Sequence, residues 1–473
     1  MNQARPRRIA VLGAGITGLA AAYELRRRGG GRQPQPDIVL FEADTRVGGK
    51  VRSEKHDGVL YEAGAESFGA AQPQAMELVR ELGLGHDVLH SDPRRRLFLV
   101  LAGGRLTPLP EGVGQVVPAR WLSFLRSGLL TWKGRLRFLG EPFLPAEEGE
   151  ADESLSAFFG RRLGPEAVAR IVEPLLAGAC LGDPCRLSVR SLFPHLADME
   201  RRGGLLRGCW KSPMRRLAAE ADPALAVTLR NGLSTLAEAL AKRLPSGCLR
   251  LGAPVVRLAR RNGGWEVRTP HSNEPFDVVV CALPAPALAQ VLEPVDPEVS
   301  GVLREIPYSA AAVVTLAYER KALSHPLDAA GLLVPRSEGR RLAGAVFASS
   351  RFPGRAPADL AVLRGWVGGE AASGDDAAAA RVVRAELREI LGLGEAHPRW
   401  TRVARWPAAH PQYTIGHALR LRRLESCLQS HPGLILAGES YRGAGLSDCI
   451  RSGRLAAAKA LTPAGGRAAA GVA

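Results

Sequence analysis

"RRIAVLGAGITGLAAAYELRRRG", residues Arg7–Gly29, contains the pattern that decides the fold. Its apolar run is typical of a buried parallel strand, and the Ala- and Leu-rich stretch after it is typical of a helix. Between strand and helix, a first glycine permits a tight turn, a second lets a pyrophosphate approach the backbone, and a third lets the helix pack on the strand. We therefore predict a dinucleotide site that includes Gly13, Ala14, Gly15, Ile16, Thr17 and Gly18.

The next stretch distinguishes a nicotinamide from a flavin. DIVLFEAD, residues 37–44, predicts a second strand, and Glu42 at its end is placed to accept hydrogen bonds from a ribose diol. ADTRVGGKVRS follows directly with Arg46, Gly48 and Gly49. A nicotinamide dehydrogenase does not need this second glycine turn, whereas a permanently held flavin has a long ribityl pyrophosphate chain for it to support. The pattern favours a flavin, with Arg46 either adding charge near the phosphates or acting as an exposed structural arginine.

Composition narrows the class of protein further. The chain has 473 residues, which predicts two or three domains. Its net charge of +16 favours an anionic partner such as a bilayer face or an acidic ligand, although GC-rich coding explains an Arg-rich chain equally well. No motif supports nucleic-acid binding. The seven cysteines form no C-x-x-C pattern, which predicts reduced thiols in a cytoplasmic protein and no metal site.

The start of the chain and its apolar runs bear on membrane insertion. We expect no signal peptide, because only a few basic residues precede the first strand. No stretch approaches the roughly 20 continuous apolar residues that span a bilayer. The expectation is a soluble or peripheral protein.

Motifs along nearly the whole chain resemble one group of flavoenzymes. YEAGAESFGAAQ, residues 61–72, stands where the group has a Gly-Pro-Asp-Ser-Phe-like turn. HPQYTIGHALRL, residues 410–421, and YRGAGLSDCI, residues 441–450, follow in the expected order. On these motifs the chain resembles the flavin-dependent protoporphyrinogen oxidases and coproporphyrinogen III oxidases of the flavin amine-oxidase superfamily.

The resemblance implies a set of residues that bind FAD. The helix predicted to start near Leu446 would point its N-terminus at the pyrimidine carbonyl of the flavin, and Val255 would pair its backbone with the adenine. Cys449 lies inside that helix, so we predict a packed core thiol and a non-covalent flavin. Beyond the first glycine loop, the implied cofactor residues are Glu42, Arg46, Gly48, Gly49, Lys50, Gly64, Ala65, Glu66, Ser67, Val255, Gly438, Glu439, Ala444, Gly445 and Leu446.

The resemblance also implies the reaction. A porphyrinogen transfers hydride to FAD, dioxygen reoxidises the flavin with formation of hydrogen peroxide, and three rounds remove six electrons to give a porphyrin of haem biosynthesis. Protoporphyrinogen IX is the first expectation for the substrate and coproporphyrinogen III the alternative. Dioxygen, an anionic membrane and the neighbouring haem-pathway enzyme are the other expected partners.

No residue is a compelling catalytic candidate in the sequence. His195, His410 and His417 lie inside motifs, but each fits a structural hydrogen-bonded histidine equally well. The family places an arginine for a substrate propionate at a position that aligns with Phe98. Either Arg95 or Arg96, with Arg96 the first candidate, takes over this role, or the run of arginines is only a solvated charge run.

We predict an α/β fold, α+β overall, with three domains. A Rossmann-like FAD-binding domain would comprise residues 1–95, 225–295 and 405–473, and residues 296–404 would form an antiparallel-sheet substrate domain. Four strand-like stretches (residues 310–319, 331–336, 342–350 and 361–368) and a helix over residues 375–393 are expected there.

Residues 96–224 are predicted to be helical and membrane-associating. Within 115–140, cations alternate with Trp121, Phe124, Leu125, Leu129, Leu130, Trp132 and Phe138. The cations are Arg120, Arg126, Lys133, Arg135 and Arg137. This segment would attach the protein to the inner face of the cell membrane, or it would form an amphipathic helix pair packed on the protein's own core.

Two other functions remain open at this point. An amine or carotenoid oxidase of the same superfamily is one of them. An amine oxidase would want aromatic walls beside the flavin, for which Tyr441 is the one candidate. A porphyrin-binding flavoprotein without turnover is the other.

Overall fold

The glycine-rich stretch at the N-terminus forms the centre of a six-stranded parallel sheet. The structure is a computed structural model, and it describes residues 5–31, 34–70, 72–95, 97–111, 121–147, 149, 151–211, 226–261, 263–462 and 471–473. In spatial order the strands are Leu249–Arg250, Asp37–Phe41, Arg8–Leu12, Val278–Cys281, Leu434–Leu436 and Gly471–Val472. All neighbouring pairs are parallel.

Helices cover both faces of this sheet, as a doubly wound fold requires. On one face Ile16–Gly29 and Leu446–Ala460 pack against each other so closely that a Cβ added at Gly453 would lie 2.3 Å from the Thr17 carbonyl oxygen. The other face is covered by Ala285–Leu292, Pro297–Arg304 and His417–Leu428. The predicted Rossmann-like architecture is confirmed.

A seven-stranded sheet forms the second large body of the fold. Its strands, in spatial order, are Trp400–Pro411, Tyr308–Glu319, Leu360–Gly368, Leu342–Phe347, Gly331–Leu333, Phe98–Ala102 and Arg105–Pro108. All pairs are antiparallel except Gly331–Leu333 with Phe98–Ala102. One face packs on the helix Asp376–Ile390 through Val383 and Leu387. The four strands and the helix predicted between residues 296 and 404 are therefore present.

The prediction that residues 96–224 are helical is wrong at its beginning. Phe98–Ala102 and Arg105–Pro108 form a hairpin that joins the seven-stranded sheet, because Gly103 and Gly104 adopt φ values of +58° and +74° and make the tight turn. The strand Trp400–Pro411 also crosses the predicted domain boundary at 404/405. The three-domain division itself stays a prediction.

After the hairpin the described residues of the segment are mainly helical and have their own core. Phe124, Phe138, Phe158 and Phe159 are fully buried there together. Arg162, 1 % exposed, forms an ion pair with the fully buried Glu141 inside the same region. The helices are Trp121–Arg126, Trp132–Leu139, Leu155–Leu163, Pro165–Ala167, Glu173–Cys180, Val189–Leu192, Pro194–Arg201 and Leu205–Lys211, with a π-helical turn at Val168–Val172.

Small elements connect the large ones. Ala226–Leu229 pairs with both Phe68–Gly69 and Val88–His90, and this pairing returns the chain to the parallel sheet. Further β structure comprises Ser53–His56 with Val59–Glu62, and Arg257–Arg261 with Gly264–Arg268 and Asn273–Phe276. The remaining α-helices of the described residues are Pro73–Glu81, Ser234–Lys242, Ala348–Arg351 and Gly369–Ser373.

Candidate functional site

The glycine loop after the first strand has the geometry of a phosphate cradle. Gly13 adopts φ +95°, and a Cβ at Gly18 would lie 1.8 Å from the Gly13 carbonyl oxygen. A Cβ at Gly15 would meet no atom within 4 Å, so open space lies in front of that residue. The helix Ile16–Gly29 begins at Gly15 with no side-chain cap. Its first N–H groups therefore remain available to an anion.

Glu42 lies at this loop, as predicted. Its Oε2 accepts a hydrogen bond from the Ala14 N–H at 2.6 Å, and its Oε1 accepts one from the Asp44 N–H at 2.9 Å. The Ala253 N–H donates to the Glu42 carbonyl oxygen at 2.8 Å, which brings the loop with Val255 beside the carboxylate. A carboxylate held on two backbone donors is fixed in orientation and keeps further lone pairs for a diol.

The second glycine turn packs directly on the first. The Gly48 N–H donates to the Ala14 carbonyl oxygen at 2.8 Å, and a Cβ at Gly49 would lie 3.2 Å from the Gly15 Cα. Arg46 donates from Nη2 to the Gly49 carbonyl oxygen at 2.8 Å and from Nη1 to the Val47 carbonyl oxygen at 3.2 Å. In this geometry Arg46 stabilises the turn, which is the structural role that the sequence left open for it.

Lys50 connects the second turn to the predicted final motif. Its Nζ donates to the Ala409 carbonyl oxygen at 2.7 Å, forms an ion pair with Glu439, and lies 5.3 Å from the centre of the Tyr308 ring. Burial raises the pKa of Glu439, and Lys50 opposes that rise. Gly64 packs so tightly that its Cβ would lie 1.9 Å from the Lys50 carbonyl oxygen. Lys50, Gly64 and Glu439 thus form one cluster.

A second uncapped helix start faces this cluster. Leu446–Ala460 begins at Gly445 without a side-chain cap, after Ala444. Gly438, on the loop that leads there, lies over Thr17, since a Cβ built on this glycine would be 3.7 Å from Thr17 Oγ1. Within the described residues Gln72 Oε1 is buried without a hydrogen-bond partner, and Gln72 Nε2 lies 3.8 Å from a Cβ built on Gly445. Unused donors and an unpaired buried acceptor meet at this end of the site.

Two aromatic residues that sequence reasoning missed hold the loop before this helix. The Tyr413 hydroxyl donates to the Glu439 carbonyl oxygen and accepts from the Gly443 N–H at 2.9 Å. The Tyr308 hydroxyl lies 2.7 Å from Ser440 Oγ. The quoted HPQYTIGHALRL motif contains Tyr413, but nothing in the linear sequence links it to residues 439–443.

The three candidate histidines have structural surroundings. His417 stacks on Tyr413 with ring centres 4.2 Å apart and donates from Nε2 to the Tyr441 carbonyl oxygen. Burial and the neighbouring Lys50 lower the pKa of His410 to about 4, and burial also lowers the pKa of His195 and of His417. All three are therefore neutral at pH 7.

The region expected to bind a substrate carboxylate contains two buried arginines. The Arg351 guanidinium lies 5.2 Å from the centre of the Phe98 ring and 3.2 Å from Glu66 Oε2. Arg364 donates from Nε to the Glu62 carbonyl oxygen at 2.7 Å and also donates to that of Gly64. The predicted Arg96 lies outside the described residues. These contacts hold the turn that contains Ala65, Glu66 and Ser67.

Cys449 and Tyr441 belong to the core. Cys449 is buried, and burial raises the pKa of its thiol to about 12, so it is a neutral packed thiol. Tyr441 is 1 % exposed and packs in the apolar cluster on the far face of the parallel sheet. The Tyr441 side chain is therefore part of the core.

Comparisons with known proteins agree with this architecture. The family model for flavin containing amine oxidoreductases matches residues 16–461. The coproporphyrinogen III oxidase of Bacillus subtilis (strain 168) is 30 % identical, covering 96 % of this chain and 98 % of its own. The protoporphyrinogen oxidase of Homo sapiens is 35 % identical over the same shares. A crystal structure from Exiguobacterium sp. 255-15, described as that of a protoporphyrinogen oxidase, superposes with a TM-score of 0.83 at 29 % identity, covering 96 % and 98 %.

The two glycine cradles and the full-length match define a flavin-dependent oxidoreductase, and the chain belongs to the flavin containing amine oxidoreductases. Within them it belongs to the family of protoporphyrinogen and coproporphyrinogen III oxidases.

Proposed function

We propose that the protein oxidises a porphyrinogen to a porphyrin by removal of six electrons, as a step of haem biosynthesis. The observation that carries this proposal is full-length similarity at 30–35 % identity to enzymes named for the two porphyrinogens. Each round consumes one dioxygen and releases one hydrogen peroxide, so three rounds complete one macrocycle.

We propose FAD, held non-covalently, as the cofactor. Gly13–Gly18 and Gly48–Gly49 would hold the pyrophosphate, Glu42 the ribose, Lys50 and Glu439 the ribityl region, and Gly445 the ring end. The open space at Gly15 and the unpartnered Gln72 Oε1 fit such a group. The buried, neutral Cys449 supports attachment without a covalent bond. When bound, FAD supplies the two-electron acceptor of the reaction.

The chain's own residues contribute position and electrostatics. The uncapped start of Leu446–Ala460 directs a positive dipole end at the site, which favours negative charge there. Tyr413 and Tyr308 fix the loop before that helix through their hydroxyl hydrogen bonds to residues 439–443. Because burial lowers the pKa of the candidate histidines, they are weak proton acceptors, and the pyrrole N–H protons of the substrate would leave to solvent rather than to a protein base.

Protoporphyrinogen IX and coproporphyrinogen III remain the two candidate substrates. Protoporphyrinogen IX has two vinyl groups where coproporphyrinogen III has two further propionates. Cations at the substrate cleft would therefore favour coproporphyrinogen III. Protoporphyrinogen IX is the first expectation from the sequence. Coproporphyrinogen III is the second, and a cleft that contains Arg186 and Arg336 favours it.

Purified protein is expected to convert porphyrinogen into fluorescent porphyrin in air, with stoichiometric peroxide. Both substrates should be compared in anaerobically prepared stocks, with autoxidation measured in parallel on heat-denatured protein. Failure to oxidise either substrate while the yellow flavin remains bound would refute the proposed function. Peroxide formation separates an oxidase from a porphyrin carrier.

We propose a cytoplasmic protein that attaches peripherally to the inner face of the membrane. No helix within the described parts of the chain combines the length and apolarity needed to cross a bilayer. Phe124, Leu129, Leu130 and Phe138 of the predicted membrane segment are buried, which fits packing on the protein's own core. Of the ten large apolar residues that are exposed in the described part of the chain, four nevertheless lie in this segment and a fifth follows it directly, namely Leu122, Trp132, Leu136, Leu139 and Phe143.

The double variant Trp132→Ser/Phe143→Ser is expected to lose binding to anionic vesicles. These side chains are 67 % and 82 % exposed, so their loss should weaken binding about tenfold or more without unfolding the protein. Co-sedimentation with phosphatidylglycerol-containing vesicles measures the effect, and Leu419→Ser, an exposed apolar residue outside the segment, is the control. Equal binding by all three proteins would contradict the attachment.

A further inference from the structure

A second cleft, outside the cofactor cluster, opens between the helical segment and the seven-stranded sheet. Its volume is about 370 Å³, within the usual range of small-molecule sites. Leu181, Arg186, Tyr308, Ala310, Arg336 and Gln412 are among its lining residues. Because Tyr308 also contacts Ser440 and Lys50, the cleft extends from the surface to the cofactor cluster.

The cleft is held in a fixed shape by backbone pairing. The Ile415 N–H donates to the Arg186 carbonyl oxygen at 2.9 Å, and Leu187 forms a β-bridge with Thr414. Leu181 adopts φ +53°, a strained conformation for a residue other than glycine. Gln412 Nε2 donates to the Cys180 carbonyl oxygen at 3.1 Å. The 181–187 loop is thereby fastened to the strand that leads to Tyr413.

The two carboxylates at this cleft, Asp183 and Glu173, are both paired with Arg336. Arg336 Nη1 lies 3.3 Å from Asp183 Oδ2 and its Nε lies 3.9 Å from Glu173 Oε1. Asp183 Oδ1 also accepts from the Cys185 N–H at 3.0 Å. Arg186 is exposed and makes no ion pair with any residue that the structure describes. An uncompensated guanidinium at the outer end of a cleft selects an anion, and its planar fork suits a carboxylate.

We propose that this cleft binds a propionate carboxylate of the macrocycle, with Arg186 as the residue that makes the contact. The proposal rests on porphyrinogen oxidation as the function. Tyr308 and Ala310 supply apolar surface for the edge of the ring, and Arg336, anchored by Asp183, supports the charge. A substrate with a propionate on every ring presents one to Arg186 in any orientation, so this subsite favours the four-carboxylate substrate.

The test measures binding of the finished porphyrin to the flavin-loaded protein, so that no turnover is required. Arg186→Glu is expected to weaken binding of coproporphyrin III, followed by fluorescence quenching, by about tenfold or more. Binding of the uncharged tetramethyl ester, in the same detergent micelles, should not change. Arg186→Lys keeps the charge and should retain most of the affinity. Arg422→Glu, at an exposed arginine outside the cleft, is the matched control and should bind like the wild type.

Two results would overturn the proposal. One is unchanged coproporphyrin binding by Arg186→Glu, and the other is an equal loss for the acid and the ester, which would indicate a change of shape rather than of charge. Wild-type turnover is measured in the same preparation. Porphyrin binding that depends on Arg186 in a protein that oxidises neither substrate would refute the proposed function and leave the carboxylate site standing.

Discussion

Replacing Gly18 with alanine is expected to remove most of the flavin from the purified protein. The new Cβ would lie 1.8 Å from the Gly13 carbonyl oxygen. Because this oxygen belongs to the backbone, it cannot move away by a side-chain rotation. The loop that should hold the pyrophosphate must therefore move away from the helix. Overpacking of this kind costs about 1–3 kcal/mol. If the binding free energy of the flavin falls by this amount, its affinity decreases roughly ten- to hundredfold.

Flavin per chain, released by heat and measured by absorbance, tests this expectation. Gly301→Ala is the matched control, since Gly301 also lies inside a helix but its Cβ would meet nothing within 4 Å. That variant should retain its flavin and gain a few tenths to about 1 kcal/mol of stability from better helix propensity. Full flavin content in Gly18→Ala would contradict the cradle. Yellow colour that stays with the denatured chain would contradict non-covalent attachment.

The parts of the site that the sequence predicted are those built by local geometry. The loop from Gly13 to Gly18 is six residues long, and its strand, turn and helix follow from neighbouring side chains and glycine conformations alone. The position of Glu42 follows as well, because parallel strands end at the same edge of a sheet. These features can be predicted without knowing which distant residues they contact.

The parts that the sequence missed depend on contacts between distant residues. The Arg351–Glu66 pair joins positions 285 residues apart, and nothing in either local pattern indicates the other. Tyr413 reaches Glu439 in the same way across 26 residues. The hairpin at residues 98–108 was missed for a local reason, because Gly103–Gly104 is a turn signal that the helical interpretation ignored.

The membrane segment illustrates a further limit of sequence reasoning. Alternating aromatic and basic residues identify an amphipathic helix, but not the surface that its apolar face covers. Phe124 and Phe138 stack with ring centres 4.3 Å apart inside the protein, whereas Trp132 and, just after the segment, Phe143 are exposed. Some residues of the segment therefore pack on the protein's own core, whereas others are exposed and could make the proposed contact with the membrane.

Replacing Lys50 with methionine is expected to destabilise the flavin-loaded protein by about 2–3 kcal/mol, because it leaves the Glu439 carboxylate without its cation in a largely dry site. The exposed fractions of the two side chains, 29 % and 17 %, keep the expected loss below that of a fully buried pair. Urea unfolding measures the change. Lys321→Met removes a lysine that is 87 % exposed from a surface pair at 3.3 Å and should change stability by less than about 0.5 kcal/mol.

The loss of stability in Lys50→Met is expected to depend on pH. Burial already raises the pKa of Glu439 above its unfolded value of 4.5, and loss of Lys50 removes the interaction that opposes the rise. The folded variant therefore binds a proton more tightly than the unfolded chain, and its stability falls as pH increases from 4.5 through the folded pKa. The gap between Lys50→Met and wild type should widen toward alkaline pH and narrow near pH 5. The double variant Lys50→Met/Glu439→Gln has no unpaired carboxylate and should therefore recover much of the lost stability. A stability difference between Lys50→Met and wild type that does not change with pH would indicate that the loss comes from packing instead.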